Sequence, residues 1–328
     1  MAIKTVMKFA AGALAAAVMG LAALPAEAGT MRLGMTTWVG YGPMFLARDK
    51  GFFKENGLDV DLRIIEDASI YMAAVAAGEL DGNASTLDEI MKYRSKEFCF
   101  KAVVALDDSH GGDGVLVQEG VNSLKDLKGQ QVGMNEGSVS QFWFNILLTK
   151  EGMTEKDLQI TNMTADDAAA AFIAGQIPAA VTWEPHLSLV RQKKQGKVLI
   201  DSSQTPGLIV DVVDLTCDYI DKNPKDVEAF VKGLYKAVEF IKTNPDEANA
   251  IMAKGVGGYL EKPEDFAEAA KGVRYYDQAR NVEFFGTKEK GEAKDLMDMG
   301  NKIWGGFQKM KMEIGYDDLI DLRFVNPK

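Results

Sequence analysis

Apolar and polar positions in this chain fall into two alternating periods. From Met31 to about Thr216, short apolar runs that read as strands are followed by stretches with apolar residues three and four apart that read as helices. The order is stated twice. The first statement runs from Leu33-Gly34-Met35 through Lys54-Glu55-Asn56-Gly57-Leu58 to Ala77-Gly78-Glu79-Leu80-Asp81 and Ala84-Ser85. The second runs from Val132-Gly133-Met134 through Lys150-Glu151-Gly152-Met153 to Ala174-Gly175-Gln176-Ile177 and Val181-Thr182. Each reads as a strand, a polar turn, a helix ending at a glycine, a second strand, another helix, then Ala-Gly and a third strand. Two copies are too few for a solenoid and predict two similar α/β lobes facing each other across a cleft.

Beyond Thr216 the pattern turns helical. Asn223-Pro224 opens a segment in which Val227, Phe230, Val231, Leu234, Val238 and Ile241 keep helical spacing, and Asn244-Pro245 ends it and starts the next; Thr287 to Met310 reads as a further helix. This tail has no sheet of its own and is expected to pack on a lobe. The run Leu208-Ile209-Val210 with Val212-Val213 is suited to carry the chain back into the first lobe, and Val115-Leu116-Val117 to carry it out. The expected division is therefore residues 118–208 as a second lobe inserted into a first made of 29–117 and 209–328, the two crossings forming a hinge.

Residues 1–28 read as an export leader: Lys4 and Lys8, an apolar stretch from Phe9 to Leu24, and the cleavage signature Ala26-Glu27-Ala28. No cysteine follows that could carry a lipid, so the expected destination is the periplasm and the expected state a soluble monomer. A net charge of -11 repels phosphate backbones and argues against nucleic acid. Cys99 and Cys217 are the chain's two cysteines. An oxidising compartment permits a bridge, but apolar neighbours favour reading them as small buried hydrophobes.

Several segments carry a family resemblance: Thr37-Trp38, Gly42-Pro43, Phe45-Leu46-Ala47, Gly51-Phe52-Phe53, Gly57-Leu58-Asp59-Val60, Ala77-Gly78-Glu79-Leu80-Asp81, Asp126-Leu127-Lys128-Gly129 and Trp183-Glu184-Pro185. In order and spacing the chain resembles the NMT1/THI5-like solute-binding proteins of nitrate, sulfonate and taurine ABC importers, a group that includes relatives accompanying urea-carboxylase genes. The resemblance implies a two-lobed type II periplasmic binding protein fold, a small-molecule solute between the lobes and delivery to a membrane permease. It leaves the solute open. Pyrimidine synthases of the same superfamily use a cysteine-rich motif that is missing here, and His110 and His186 lack a nucleophile-elbow context. The reading is therefore a binding protein and not an enzyme, with a receptor-linked sensor as the rival role, and with no cofactor or metal.

In open α/β sheets ligands lie beyond the carboxyl ends of strands, near helix N-termini. That rule selects the loops 36–42, 85–89, 107–114, 135–140 and 182–186, with a crossing near Asp211. Those loops contain acids but no Lys or Arg, which favours an amine-bearing, guanidine-like or urea-like solute, or taurine, over nitrate or simple sulfonates. The candidate ligand residues are Thr37, Trp38, Thr86, Asp88, Asp108, Asp113, Glu136, Ser138, Trp183, Glu184 and Asp211. Glu184 leads, because Trp183 and Pro185 would hold it at a loop tip. Trp38 and Trp183 occupy corresponding loops and are placed to sandwich a planar or cationic group. Each acid has an alternative role as a helix cap.

Overall fold

A computed structural model describes residues 29–260 and 262–327; the expected leader lies outside them. The first half runs β1 (Gly29–Met35), α1 (Gly42–Asp49), β2 (Leu58–Ile64), α2 (Ala68–Ala76), β3 (Gly82–Thr86), α3 (Leu87–Met91) and β4 (Phe100–Ser109). Next come β5 (Asp113–Val117), β6 (Gln131–Met134), α4 (Val139–Lys150), β7 (Gln159–Asn162), α5 (Ala165–Ile173), β8 (Ala179–Trp183), α6 (His186–Lys193) and β9 (Lys197–Asp201). After β10 (Val210–Thr216) the tail comprises α7 (Cys217–Lys222), α8 (Pro224–Thr243), α9 (Pro245–Val256), α10 (Pro263–Ala269), β11 (Val273–Tyr275), α11 (Gln278–Phe285), α12 (Glu292–Gly306) and α13 (Tyr316–Leu319).

The duplicated sequence pattern becomes a duplicated topology. One sheet has the order β11-β4-β10-β3-β1-β2 and the other β7-β6-β8-β5-β9. In each, three parallel strands come from one sequence copy, β2-β1-β3 or β7-β6-β8. The strand beside them is antiparallel: β10 against β3 and β5 against β8. The chain passes between sheets twice, between Ser109 and Asp113 and between Asp201 and Val210. β5, which includes Val115-Leu116-Val117, belongs to the second sheet.

β3, β5 and β8 are buried along their whole length, the polar Asn83, Ser85, Thr86 and Asp113 included. The tail covers the first sheet. Pro224 sits in the first turn of α8, where a missing N–H costs nothing, and the helix buries Val227, Phe230, Val231, Leu234 and Val238 on one face. Phe230 stacks on Phe53 with ring centroids 5.0 Å apart; removing such a ring costs about 3–5 kcal/mol.

Three features differ from expectation. The tail contributes a strand, β11, which adds to the edge of β4; three residues are too few to display alternation. α12 is shorter than 287–310, because Gly286 and Gly291 take φ of 54° and 142°, conformations incompatible with a helix. Cys99 and Cys217 are bonded to each other, Cα atoms 5.4 Å apart. The bridge encloses the whole second sheet, and linking residues 118 apart stabilises chiefly by restricting the unfolded chain.

Candidate functional site

The ends of β3, β10 and β4 lie side by side, with Thr86 opposite Asp211 and Asp211 opposite Asp107. Neighbouring strands are about 4.8 Å apart, so the two aspartates stand next to each other on one row. The loop after β1 folds over them. Trp38 donates its indole N–H to Asp107 Oδ1 at 3.1 Å, and Tyr41 donates its hydroxyl to Asp211 Oδ1 at 2.6 Å. Gly40 permits this approach: a Cβ there would come within 2.2 Å of Asp107 Oδ2 and 2.1 Å of Trp38 Nε1.

The second sheet reaches the same place through the first crossing. Ser202 Oγ accepts from the backbone N–H of Gly111 at 2.7 Å and of Asp113 at 3.3 Å, which fixes the loop that delivers Asp113. Asp113 lies opposite Trp183 on β8. Trp183 in turn donates its indole N–H to the carbonyl of Thr37 at 3.1 Å, joining the two sheets across the site. Thr37 is otherwise engaged with Glu66, which accepts from its amide and its hydroxyl.

Asp88, Asp107, Asp113 and Asp211 are all buried, and among the described residues no Lys or Arg donates a hydrogen bond to them. One oxygen of Asp88 and one of Asp107 have no hydrogen-bond partner, nor does the Thr86 hydroxyl. Burying a carboxylate without a cation is costly, so each shifts toward its neutral form. Burial pushes Asp211 up to about 8, against the hydrogen bond from Tyr41 and reinforced by Asp113 and Glu89. Burial takes Asp113 to about 7, with Asp88 and Glu184 adding repulsion; it takes Asp88 to about 7, with Glu89 adding to it. Asp107 is held well above the ordinary range by burial and by Asp211 beside it. Such a cluster is unsatisfied without a cation and becomes a set of charge-assisted acceptors when one arrives.

The cavity beside the cluster, taken as the mouth of the site, has a different character, and none of the four aspartates lines it. It opens between the two halves with a volume of about 490 Å³, lined by Asp67, Ser69, Glu89, Lys92 and Tyr93 on one side and by Asn135, Glu136, Gly137, Ser138 and Asn162 on the other, with Lys309 and Lys311 from the tail. The expectation of a cleft free of basic residues is thus corrected. α3 is only five residues long, so its C-cap residue Lys92 still lies in the cleft, and the segment after α12 brings Lys309, which donates to Gln141 of α4 at 2.9 Å. Burial lowers the Lys92 ammonium from its usual value, opposed by Glu89 and Asp88.

The candidate residues therefore separate into groups. Trp38, Thr86, Asp88, Asp113, Trp183 and Asp211 converge at the strand ends, with Thr37 at the junction. Ser138 caps α4, accepting from the Ser140 amide at 3.1 Å, and lines the mouth with the exposed Glu136. Asp108 points away: it accepts from Tyr276 and faces Arg274 and Arg280. Glu184 has a local task. Its carboxylate is paired with Arg191 and accepts from the Ser188 amide at 3.0 Å, fastening the first turns of α6. Tyr41, Lys92, Lys309 and the dominant place of Asp107 escaped the sequence reading, although Lys92 stands four residues beyond Asp88, a helical spacing that signals it.

Among the described residues no group of three or more His, Cys, Asp or Glu side chains is placed to hold a metal ion, and no helix is long and apolar enough to cross a membrane.

Comparison with known proteins gives a consistent result. The family model described as NMT1/THI5 like matches residues 38–248. A protein of Brucella abortus described as a binding protein is 27% identical over 216 residues, 64% of this chain; the match spans 66% of that relative's length. The taurine-binding periplasmic protein of Escherichia coli is 24% identical over 227 residues, 68% of this chain and 67% of that protein. The crystal structure of the periplasmic aliphatic sulphonate binding protein from Escherichia coli superposes with a TM-score of 0.73 at 17% identity, covering 89% of this chain and 97% of that one. That likeness shows the periplasmic binding protein fold.

Proposed function

This chain belongs to the NMT1/THI5-like family, and from that premise we propose that it is the extracytoplasmic substrate-binding component of an ABC importer for a small solute of the sulfonate and taurine type, one that carries an amine. The similarity to taurine-binding and sulphonate-binding proteins supports the solute class. The Cys99–Cys217 bridge suits an oxidising compartment. The observation that carries the amine is the cluster of buried carboxylates Asp88, Asp107, Asp113 and Asp211, to which no Lys or Arg among the described residues donates a hydrogen bond.

An ammonium or guanidinium group entering from the mouth would let these carboxylates ionise and accept hydrogen bonds. Contact with Asp211 and Asp107 from one sheet and Asp113 and Trp183 from the other is complete only with the sheets together, so the solute favours the closed form by its differential affinity. The permease then recognises that closed shape. The second sheet with its helices, from β5 to β9, is the inserted unit that moves against the first sheet in this reading.

A second reading has its own support. Lys92 and Lys309 at the mouth, beside the N-terminus of α4, favour an anionic group. Calorimetric titration at pH 7.5 with taurine, ethanesulfonate, guanidinium and nitrate separates the two. Taurine or guanidinium binding at least tenfold tighter than ethanesulfonate is expected; equal binding of taurine and ethanesulfonate rejects the amine reading and leaves the anion reading in place.

A further inference from the structure

Trp304 lies far from the strand ends in sequence and none of the motifs points to it. It is fully buried, in the last full turn of α12. Its indole N–H donates to Asp88 Oδ2 at 3.3 Å, while the other oxygen of Asp88 has no partner. The same ring packs against Phe142 of α4, centroids 5.9 Å apart and planes at 30°, and the Lys92 ammonium stands 4.9 Å from its centroid. One side chain thus touches a carboxyl of the first sheet's loop, the cation at the mouth and the helix that opens at the second sheet's loop.

The surroundings are shaped for this. One turn earlier, Gly300 lets α12 lie close on α3: a Cβ there would come 2.6 Å from Met91 Sδ. One turn later, Lys309 donates to Gln141 Oε1 at 2.9 Å, and the same oxygen accepts from the Gly137 amide at 2.8 Å. Phe142 belongs to the hydrophobic cluster of the first sheet's α3, α11 and α12, although its helix belongs to the second. α12 is consequently a strap across both halves, with Trp304 at the point where strap, acid and lysine meet.

We infer that Trp304 is a positioning residue for the solute site, its N–H orienting the Asp88 carboxyl while its ring clamps α3 to α4, so that the acid is correctly aimed only when the halves are together. Asp88 is faced by Glu89 and Lys92 from its own helix, by Asp113 from β5 and by Trp304 from α12, and Lys309 stands beside Lys92. The Thr86 hydroxyl and the Trp304 indole are the uncharged donors beside Asp88, so Trp304 senses whether Asp88 is ionised without itself titrating.

The inference rests on the amine-solute reading for what Asp88 does with a ligand, but its main test needs no ligand. In the ¹⁵N-labelled protein the Trp304 indole resonance, identified by its loss in Trp304→Phe, is expected to move with a midpoint at about pH 7 and to stop moving in Asp88→Asn. A resonance constant from pH 5 to 9, or one that titrates unchanged in Asp88→Asn, overturns the inference. In a second arm taurine is the probe: Trp304→Phe keeps a smaller aromatic ring without the N–H and is expected to bind about tenfold more weakly because the charged acceptor loses its donor. Wild-type affinity in that variant overturns the positioning role. Failure of taurine to bind the wild-type protein condemns the amine reading instead, and the resonance still decides for or against Trp304.

Discussion

The interior of the cleft and its mouth meet at α3, which supplies Asp88 to one and Glu89 and Lys92 to the other, yet they have opposite chemistry. Inside, Asp107 and Asp211 stand on adjacent strands with Asp113 and Asp88 nearby, and their hydrogen-bond donors are uncharged: Trp38, Tyr41 and Trp304. At the mouth, acids and lysines are mixed, with Lys92, Lys309 and Lys311 against Asp67, Glu89 and Glu136. Burial shifts the interior carboxyls toward their neutral form, whereas the mouth charges already have each other. A solute with a cationic end gains most inside, and one with an anionic end meets its nearest partners at the rim. Loops of one net sign can therefore present two sites of different preference, once the tail has supplied the cations that the loops lack.

The change expected to break this contrast most completely is Asp211→Asn. It keeps the shape of the side chain and its contact with Tyr41 but removes the central acid, which is expected to cost about 2–5 kcal/mol of taurine binding. Calorimetry should show ethanesulfonate affinity unchanged or improved in the same variant. Equal losses for both ligands would mean that the interior does not distinguish charge.

Next in size is the effect of pH. Asp88 and Asp113 at about 7 and Asp211 at about 8 must release protons to receive a cation. Taurine affinity is therefore expected to rise from pH 6 to pH 8, by up to about tenfold per unit for each carboxyl that titrates. Stability without solute runs the other way. A carboxyl raised in the folded state holds a proton that the unfolded chain has lost above about pH 4, so its contribution falls as pH rises through 7 and 8. Thermal melts should give a lower midpoint at pH 8 than at pH 5, with taurine narrowing the difference. A midpoint independent of pH would place the acids in ordinary water-exposed titration.

The duplicated order of elements was legible because strand and helix periods, glycine stops and Ala-Gly junctions are local signals, and both sheets follow them strand for strand. The choice between Asp107 and Asp108 was not. A strand sends successive side chains to opposite faces, but β4 is buried on both, so the apolar pattern sets no phase; only pairing with β10 shows that Asp107 joins Asp211 while Asp108 turns to Tyr276. Glu184 was misread for a different reason. Ser188 and Arg191, four and seven residues on, complete one helix face that satisfies it, and that spacing was present in the sequence. The contacts of Lys309 with Gln141 and of Trp304 with Asp88 join segments 168 and 216 residues apart, which no window of sequence displays.

The smallest expected effect concerns those lysines. Lys309→Met keeps the length of the side chain, removes the charge and gives up the hydrogen bond to Gln141. Because the mouth is open to water, the loss of one rim charge is worth about 1 kcal/mol or less. Ethanesulfonate binding should fall a few-fold and become less sensitive to salt, since one screened attraction has gone. Taurine would lose the same few-fold at its sulfonate end, so its advantage over ethanesulfonate should stay constant. A change in that advantage would show that the rim and the interior are a single electrostatic site, because a charge removed at the mouth would then have altered the preference that the buried carboxyls impose.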